Sequence, residues 1–314
     1  NILTSLENLF KLKIIKENKM KTQEILEQVQ DKIIDLMKTE GTDWHKSWTS
    51  KPSPVNHISK KPYRGMNNFW LSVQDFKSHE WATFKQWSEK DYQIKKGSKA
   101  SRVVFCEVKE KKKEWLKDSE LAQYQATGKL PKYFLWKNYA VFNGDQIENF
   151  VSTVPVNTHS TKLTDKKKKD VEFFIANTEA VIDHGQNSAF YSPLTDHIGM
   201  PSLEMFDTDV DYFSTLLHEL THWTGHKDRC NRDQANKFGT EEYAKEELVA
   251  EVGSAFLCRI LGIEKIVRED HAKYLNNWIK IIQDDSKAMV KAFSQAQKSI
   301  DFLEKLQLQK QEVA

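Results

Sequence analysis

The amino-acid sequence predicts an α+β protein of two domains, on three observations. The chain has 314 residues, more than one compact core normally organises. Charge divides near residue 150: residues 1–150 carry 27 Lys+Arg and 19 Asp+Glu, net +8, and residues 151–314 carry 20 and 26, net −6. Seven of the nine tryptophans lie in the first part, so the basic half is also the aromatic one. Both halves mix helix-periodic stretches with short strand-like runs.

The elements follow in order. Residues 1–19 open without Met and are read as an extension outside the fold. Residues 22–40 read as an amphipathic helix: Ile25, Leu26, Val29, Ile33, Ile34 and Met37 share one side, and Gly41 stops it. Residues 42–67, rich in Trp, Pro and Lys, read as irregular. Over 68–150 the clearest strands are Arg102–Val108 and Tyr139–Phe142, with Lys109–Lys132 as a polar, mobile insertion. Residues 151–170 hold Ser, Thr, Pro and Asn, then four lysines from Lys166 to Lys169, and read as a linker between domains 20–150 and 171–314. In the second domain Val171–Asn177 starts a helix. Ala189–Tyr191 and His197–Met200 form a hairpin about a Ser192–Asp196 turn. Residues 270–308 are helical, with Met289, Phe293, Ala296, Ile300 and Leu303 at packing spacing.

The chemistry concentrates in His218-Glu219-Leu220-Thr221-His222. Val210–Trp223 lacks Pro and Gly, Asp207, Thr208 and Asp209 offer caps and first-turn negative charge, and Gly225 follows its end. At 100° per residue, Phe213, Leu216, Leu217 and Leu220 share one face, and His218, Glu219 and His222 the opposite one. Two imidazoles a turn apart can grip one metal ion, with a carboxylate beside them as base. The plainer reading is an exposed polar stripe on a surface helix.

A zinc site needs a third protein ligand. In one layout it lies six residues past the second histidine, where this chain has Asp228; His226 comes too early. In the other, a Glu comes from a second helix. Thr240–Leu261 reads as that helix, capped by Thr240 and stopped by Gly262. Val249, Val252, Phe256 and Ile260 are its apolar face; Glu247 and Glu251 lie a turn apart on the other side. Glu247 is assigned as ligand and Glu251 as the carboxylate that orients a ligand histidine, although spacing alone does not order the pair. Glu246, 100° off that stripe, is set aside. Glu219 is the candidate base, taking a proton from water and passing it to a leaving amine. His226, His271, Tyr243 and Tyr274 are candidates for stabilising the oxyanion, with His271 favoured because it opens a later helix.

No apolar run reaches the length of a membrane span, and the start lacks the pattern of a signal peptide. Three scattered cysteines, Cys106, Cys230 and Cys258, form no disulfide framework, which points to the cytoplasm.

The motifs together resemble the ArdC-type antirestriction proteins of conjugative plasmids and other mobile elements. The resemblance rests on Tyr63-Arg64-Gly65-Met66-Asn67, Trp81–Gln86, Ile94-Lys95-Lys96-Gly97, Val103–Phe105 and Val141–Asn143 with Gln146. In the second half it rests on Tyr191–Pro193, Asp196–Ile198, Met200-Pro201, His218–His226 and Glu246–Glu251. It implies an N-terminal domain that binds single-stranded DNA and a C-terminal zincin-like metallopeptidase domain with one zinc. It also implies a role in protecting incoming DNA from host restriction, with the host restriction machinery as a conceivable protein substrate. For the DNA, aromatic faces and cations are needed together. Trp44, Trp48, Tyr63, Arg64, Asn67, Lys85, Lys95 and Lys96 are the candidates, although any single Trp more often packs in a core. The His197–Met200 strand is the candidate edge for an extended peptide.

Overall fold

The computed structural model describes residues 22–152, 163–234, 240–266 and 272–313. The expected extension 1–19 and His271 lie outside them. Two compact units form. Among the described residues one comprises 22–28, 82–142 and 146–148; the other comprises 29–81, 143–145 and those from 149 to 313. The charge and aromatic division at residue 150 does not mark this partition, because residues 29–81 pack in the second unit.

In the first unit, α4 (Phe84–Ser88) starts at a capping box between Thr83 and Gln86. Strands β3 (Ser101–Glu110) and β4 (Lys132–Asn143) pair antiparallel in register from Ser101↔Val141 to Glu110↔Lys132. The end holding Val103, Val104 and Val141 is buried. Strand β3 matches its predicted bounds to within two residues, whereas β4 begins seven residues before its predicted start at Tyr139. The Lys109–Lys132 stretch is therefore not a plain insertion loop: the ladder continues into it, and α5 (Asp118–Thr127) lies between the strands in sequence, ended by Gly128 in the left-handed region. Tyr133, Phe134, Leu135 and Trp136 supply the strand propensity that the polar composition concealed.

The second unit holds most of α1 (22–40), then α2 (Lys46–Thr49), β1 (Val55–Asn56) and α3 (Gly65–Ser72). Strand β2 (Glu80–Thr83) pairs parallel to β1 through Glu80 and Trp81. Helix α6 (Asp165–Ala176) follows. The expected linker is helical from Asp165, because the Thr164 side chain accepts from Lys167 N and Asp165 adds first-turn charge. Strands β5 (Val181–His184), β6 (Phe190–Ser192) and β7 (His197–Met200) form a sheet of order β5-β7-β6. The predicted hairpin is there, but β7 is the middle strand, flanked by parallel β5 and antiparallel β6. Its backbone is therefore taken on both sides, and it cannot be the edge to which a peptide adds. Helices α7 (Asp209–Trp223), α8 (Glu241–Leu261), α9 (Ala272–Asp284) and α10 (Ser286–Val313) complete the unit.

The core of this unit explains the tryptophans. Trp48 is fully buried, with its ring centroid 5.6 Å from Phe69, 5.5 Å from Phe256 of α8 and 6.5 Å from Phe293 of α10. Arg259 of α8 is buried as well. It donates to Lys51 O at 2.8 Å, Pro52 O at 2.5 Å, Asn68 Oδ1 at 2.7 Å and Ser72 Oγ at 3.0 Å. Residues 51–72 are thus bolted to α8, and burial holds the guanidinium down to about 9.

Helix α8 packs against α7 and α10 and is buried on every side from Glu247 to Arg259, so a one-faced apolar stripe understated it. The α7–α8 approach depends on Gly253. A Cβ there would lie 2.5 Å from Thr221 Cγ2, next to the ligand candidate His222. Gly253→Ala is expected to cost about 1–3 kcal/mol from overpacking and to loosen the metal site. Thermal melts with and without metal check this; an unchanged melting temperature in both states would contradict it.

Candidate metal centre

Thr208 caps α7 by accepting from Asp211 N at 3.1 Å, and Thr240 caps α8 by accepting from Tyr243 N at 3.2 Å. The two helices bring three donors together. His218 Nε2 and His222 Nε2 lie 3.1 Å apart, and the Glu247 carboxylate oxygens lie 3.4 Å from His218 Nε2 and 3.5 Å from His222 Nε2. Among the described residues His218, His222 and Glu247 form the one cluster able to hold a metal ion, and all three are buried. The exposed-stripe reading is excluded: His218 is 2% exposed and His222 9%.

The outer contacts show what these donors are set up for. Glu251 Oε1 lies 3.4 Å from His218 Nδ1, and Glu246 Oε1 lies 3.1 Å from His222 Nδ1. With a proton on each Nδ1, facing its carboxylate, both Nε2 lone pairs would face each other and Glu247. Three converging lone-pair donors in a buried space repel one another unless a cation lies among them. The donor set fits a metal ion.

The carboxylates also draw positive charge into the cluster, whether as a proton on an imidazole or as a metal ion. Burial would lower both imidazoles, but the Glu247, Glu251 and Glu246 carboxylates reverse this and hold His218 above the ordinary range and His222 at about 10. Burial would likewise raise the two carboxyls. The imidazoles hold Glu247 well below the usual range, and His222 with Arg232 holds Glu246 at about 2.

Glu246 was passed over in the sequence because it lies off the Glu247–Glu251 stripe. It reaches a different imidazole, and its own support explains how. Arg232 binds it from Nε at 3.0 Å and Nη2 at 2.8 Å, and Gln234 Nε2 donates to it at 3.0 Å and to His222 O at 2.7 Å. Arg232 also donates to Thr221 O at 2.7 Å and Ser299 Oγ at 2.8 Å, joining α7, α8 and α10. Glu251 is held in the same way by Lys265 Nζ at 3.3 Å. Neither cation belongs to the H-E-x-x-H motif or to the glutamate helix, so helical spacing offered no signal for them.

The remaining candidates separate. Glu219 is 4% exposed on α7, beside His218. Asp228 is exposed and pairs with His226 Nδ1 at 3.4 Å, which removes the third-ligand layout based on Asp228. Tyr243 hydrogen-bonds Glu247, and its hydroxyl is pushed well up by burial and that carboxylate. Its ring lies 5.8 Å from Tyr274, which is buried. A cleft of about 610 Å3 opens beside Gly225 and His226, bounded by Pro193, Leu194, Asn231 and Gln234.

The nucleic-acid candidates divide between the two units. Trp44 and Trp48 are core residues, 2% and 0% exposed, and offer no face to a base. Tyr63 and Asn67 are buried, with the Tyr63 hydroxyl taking a contact from Asn56 at 3.4 Å. Arg64 is exposed but ion-paired with Asp301 of α10. These five belong to the second unit, whereas Lys85, Lys95 and Lys96 are exposed on the first.

Comparison with known proteins matches two segments of the chain. A family model for the N-terminal domain of anti-restriction factor ArdC matches residues 23–142, and one for a zincin-like metallopeptidase matches residues 169–295. The metal-free crystal structure of the antirestriction protein ArdC from plasmid R388 superposes with a TM-score of 0.72 and 32% identity, covering 90% of this chain and 97% of that one. The chain belongs to the ArdC antirestriction family. A second ArdC structure, bound to Mn(II), superposes with a TM-score of 0.71 at 30% identity and the same coverage. A Sinorhizobium fredii relative, the uncharacterised protein y4eC, is 30% identical across 89% of this chain and 91% of its own length. A DNA primase TraC of Escherichia coli is 32% identical over 91% of this chain, which spans only 28% of that primase. Among the described residues no helix is long and apolar enough to cross a membrane.

Proposed function

We propose that this ArdC-family chain is an antirestriction metallopeptidase that binds single-stranded DNA and acts in the cytoplasm on a protein substrate, protecting incoming DNA. The observation that carries the enzymatic part is the buried His218–His222–Glu247 cluster with both Nδ1 atoms engaged by carboxylates. Zinc is the proposed ion, since two imidazoles and one carboxylate with an open position are a zinc peptidase donor set. When bound, it supplies a Lewis acid that polarises a peptide carbonyl and acidifies water. His218, His222 and Glu247 hold it. Glu251 and Glu246 fix the tautomer and direction of the two imidazoles, and Tyr243 steadies Glu247 by hydrogen bonding. Glu219 takes a proton from water and delivers it to the departing amine nitrogen.

Single-strand binding is supported by the family and by the net charge of +8 over residues 1–150. Affinity should fall steeply with salt, because lysine contacts release counterions, and duplex DNA should bind more weakly. A fluorescence titration of both DNA forms at two salt concentrations measures this. Equal affinity for both would leave only a general attraction to phosphate.

A second reading has a specific support: the TraC relatives carry this region within a longer primase, so DNA coating alone is a coherent role. Delivery of unmodified DNA to a restricting host separates the two. Protection by wild type that is lost in Glu219→Gln supports proteolysis; equal protection by both supports coating.

A further inference from the structure

The β3–β4 ladder leaves aromatic side chains in solvent, which calls for an explanation. Phe105 is 44% exposed, Tyr139 43%, Phe134 68% and Val108 57%, and Trp115, between β3 and α5, is 53% exposed. The register sorts them by face, since directly paired residues point the same way. Val103↔Tyr139, Phe105↔Lys137, Glu107↔Leu135 and Lys109↔Tyr133 share one face; Cys106↔Trp136 and Val108↔Phe134 share the other.

The first face alternates rings with ammonium groups. Phe105 and Tyr139 pack edge to face at 5.5 Å, and Lys137 and Lys109 stand on the same side. Both lysines contact Glu107, at 2.6 Å and 3.3 Å, so one carboxylate sits between two cations and the trio keeps positive charge. The surroundings add to it: residues 101–140 hold nine Lys+Arg against five Asp+Glu. Lys112 stands over the Trp115 ring at 5.5 Å and Lys113 over the Tyr124 ring at 4.9 Å, further cations beside aromatic rings. The opposite face carries Val108, Phe134 and Trp136 at its middle, with Arg102, Glu110 and Lys132 only toward its ends, and directly pairs no exposed ring with a lysine across the ladder.

We infer that the Phe105–Tyr139–Lys137–Lys109 face of the β3–β4 ribbon is the contact surface for single-stranded nucleic acid. Bases stack on the two exposed rings, and the lysines track the phosphates. This rests on the single-strand binding proposed above and gives it a place, a different one from Trp44 and Trp48. Glu107 acts as a brake, because an incoming phosphate competes with it for Lys137 and Lys109.

Fluorescence anisotropy of labelled oligo(dT) with the full-length chain tests the assignment, alongside a thermal melt of each variant. Phe105→Ala combined with Tyr139→Ala should weaken binding about thirty-fold or more without lowering the melting temperature, as loss of two stacking rings implies. Phe134→Ala, on the other face, should leave affinity within two-fold, roughly the noise expected of an uninvolved surface residue. Glu107→Gln should tighten binding and steepen its salt dependence. Wild-type affinity in the double variant, with wild type itself binding, would overturn the surface while leaving single-strand binding intact. Equal losses in Phe134→Ala and the double variant would overturn the choice of face. No binding by wild type would remove the underlying reading and this surface with it. A changed oligomeric state in the double variant, with DNA binding retained, would assign the rings to a second copy of the chain instead.

Discussion

Glu247→Ala should empty the metal site. One of three ligands is lost, and the two Nε2 atoms 3.1 Å apart then have no anion beside them to complete the donor set. The loss of affinity should exceed the roughly 10- to 100-fold that removal of an outer-shell partner causes. Glu251→Gln and Glu246→Gln should fall within that range, because each leaves the ligands in place and loosens one imidazole. Competition with a chromogenic chelator ranks the three variants. Tighter metal binding in Glu247→Ala than in Glu251→Gln would reverse the assignment of ligand and outer partner.

Glu219→Gln should keep the metal and the melting temperature and lose peptidase activity by about 10²–10⁴-fold, the contribution of a positioned general base. The amide nearly matches the carboxylate in shape, so the buried site stays filled. Metal content, melting temperature and turnover of a generic peptide by the same preparations provide the check. Near wild-type turnover would show that another group moves the proton.

These variants rest on residues of unequal legibility. The ligand helices could be read directly: the 100° spacing set His218 and His222 on one face, and Thr208, Thr240 and Gly262 marked the caps found in the structure. Glu251 followed from a one-turn spacing to Glu247. Glu246 did not, because it lies off that stripe of α8, while the two imidazoles are approached from two directions. Arg232 and Lys265 were out of reach for a related reason: they sit after the helices, and only the tertiary fold turns them back onto Glu246 and Glu251.

The aromatic residues were harder to read. Burial depends on what packs opposite, and nothing near Trp48 in sequence announces Phe256 or Phe293, over 200 residues away. Composition grouped residues 29–81 with the basic half, while their apolar side chains pack with α8 and α10. The strand pattern near Phe134 was masked by flanking lysines. Strand β7 looked like an edge because β5, its second neighbour, was not read as a strand: Asp183 and His184 interrupt its apolar run.

X-ray absorption at the metal edge of the loaded full-length chain tests the central claim most directly. Two imidazole nitrogens and one carboxylate donor are predicted for wild type, with the same donor set kept in Glu219→Gln, which leaves all three ligands in place. A spectrum with fewer than two imidazoles, or with no carboxylate donor, would contradict the account.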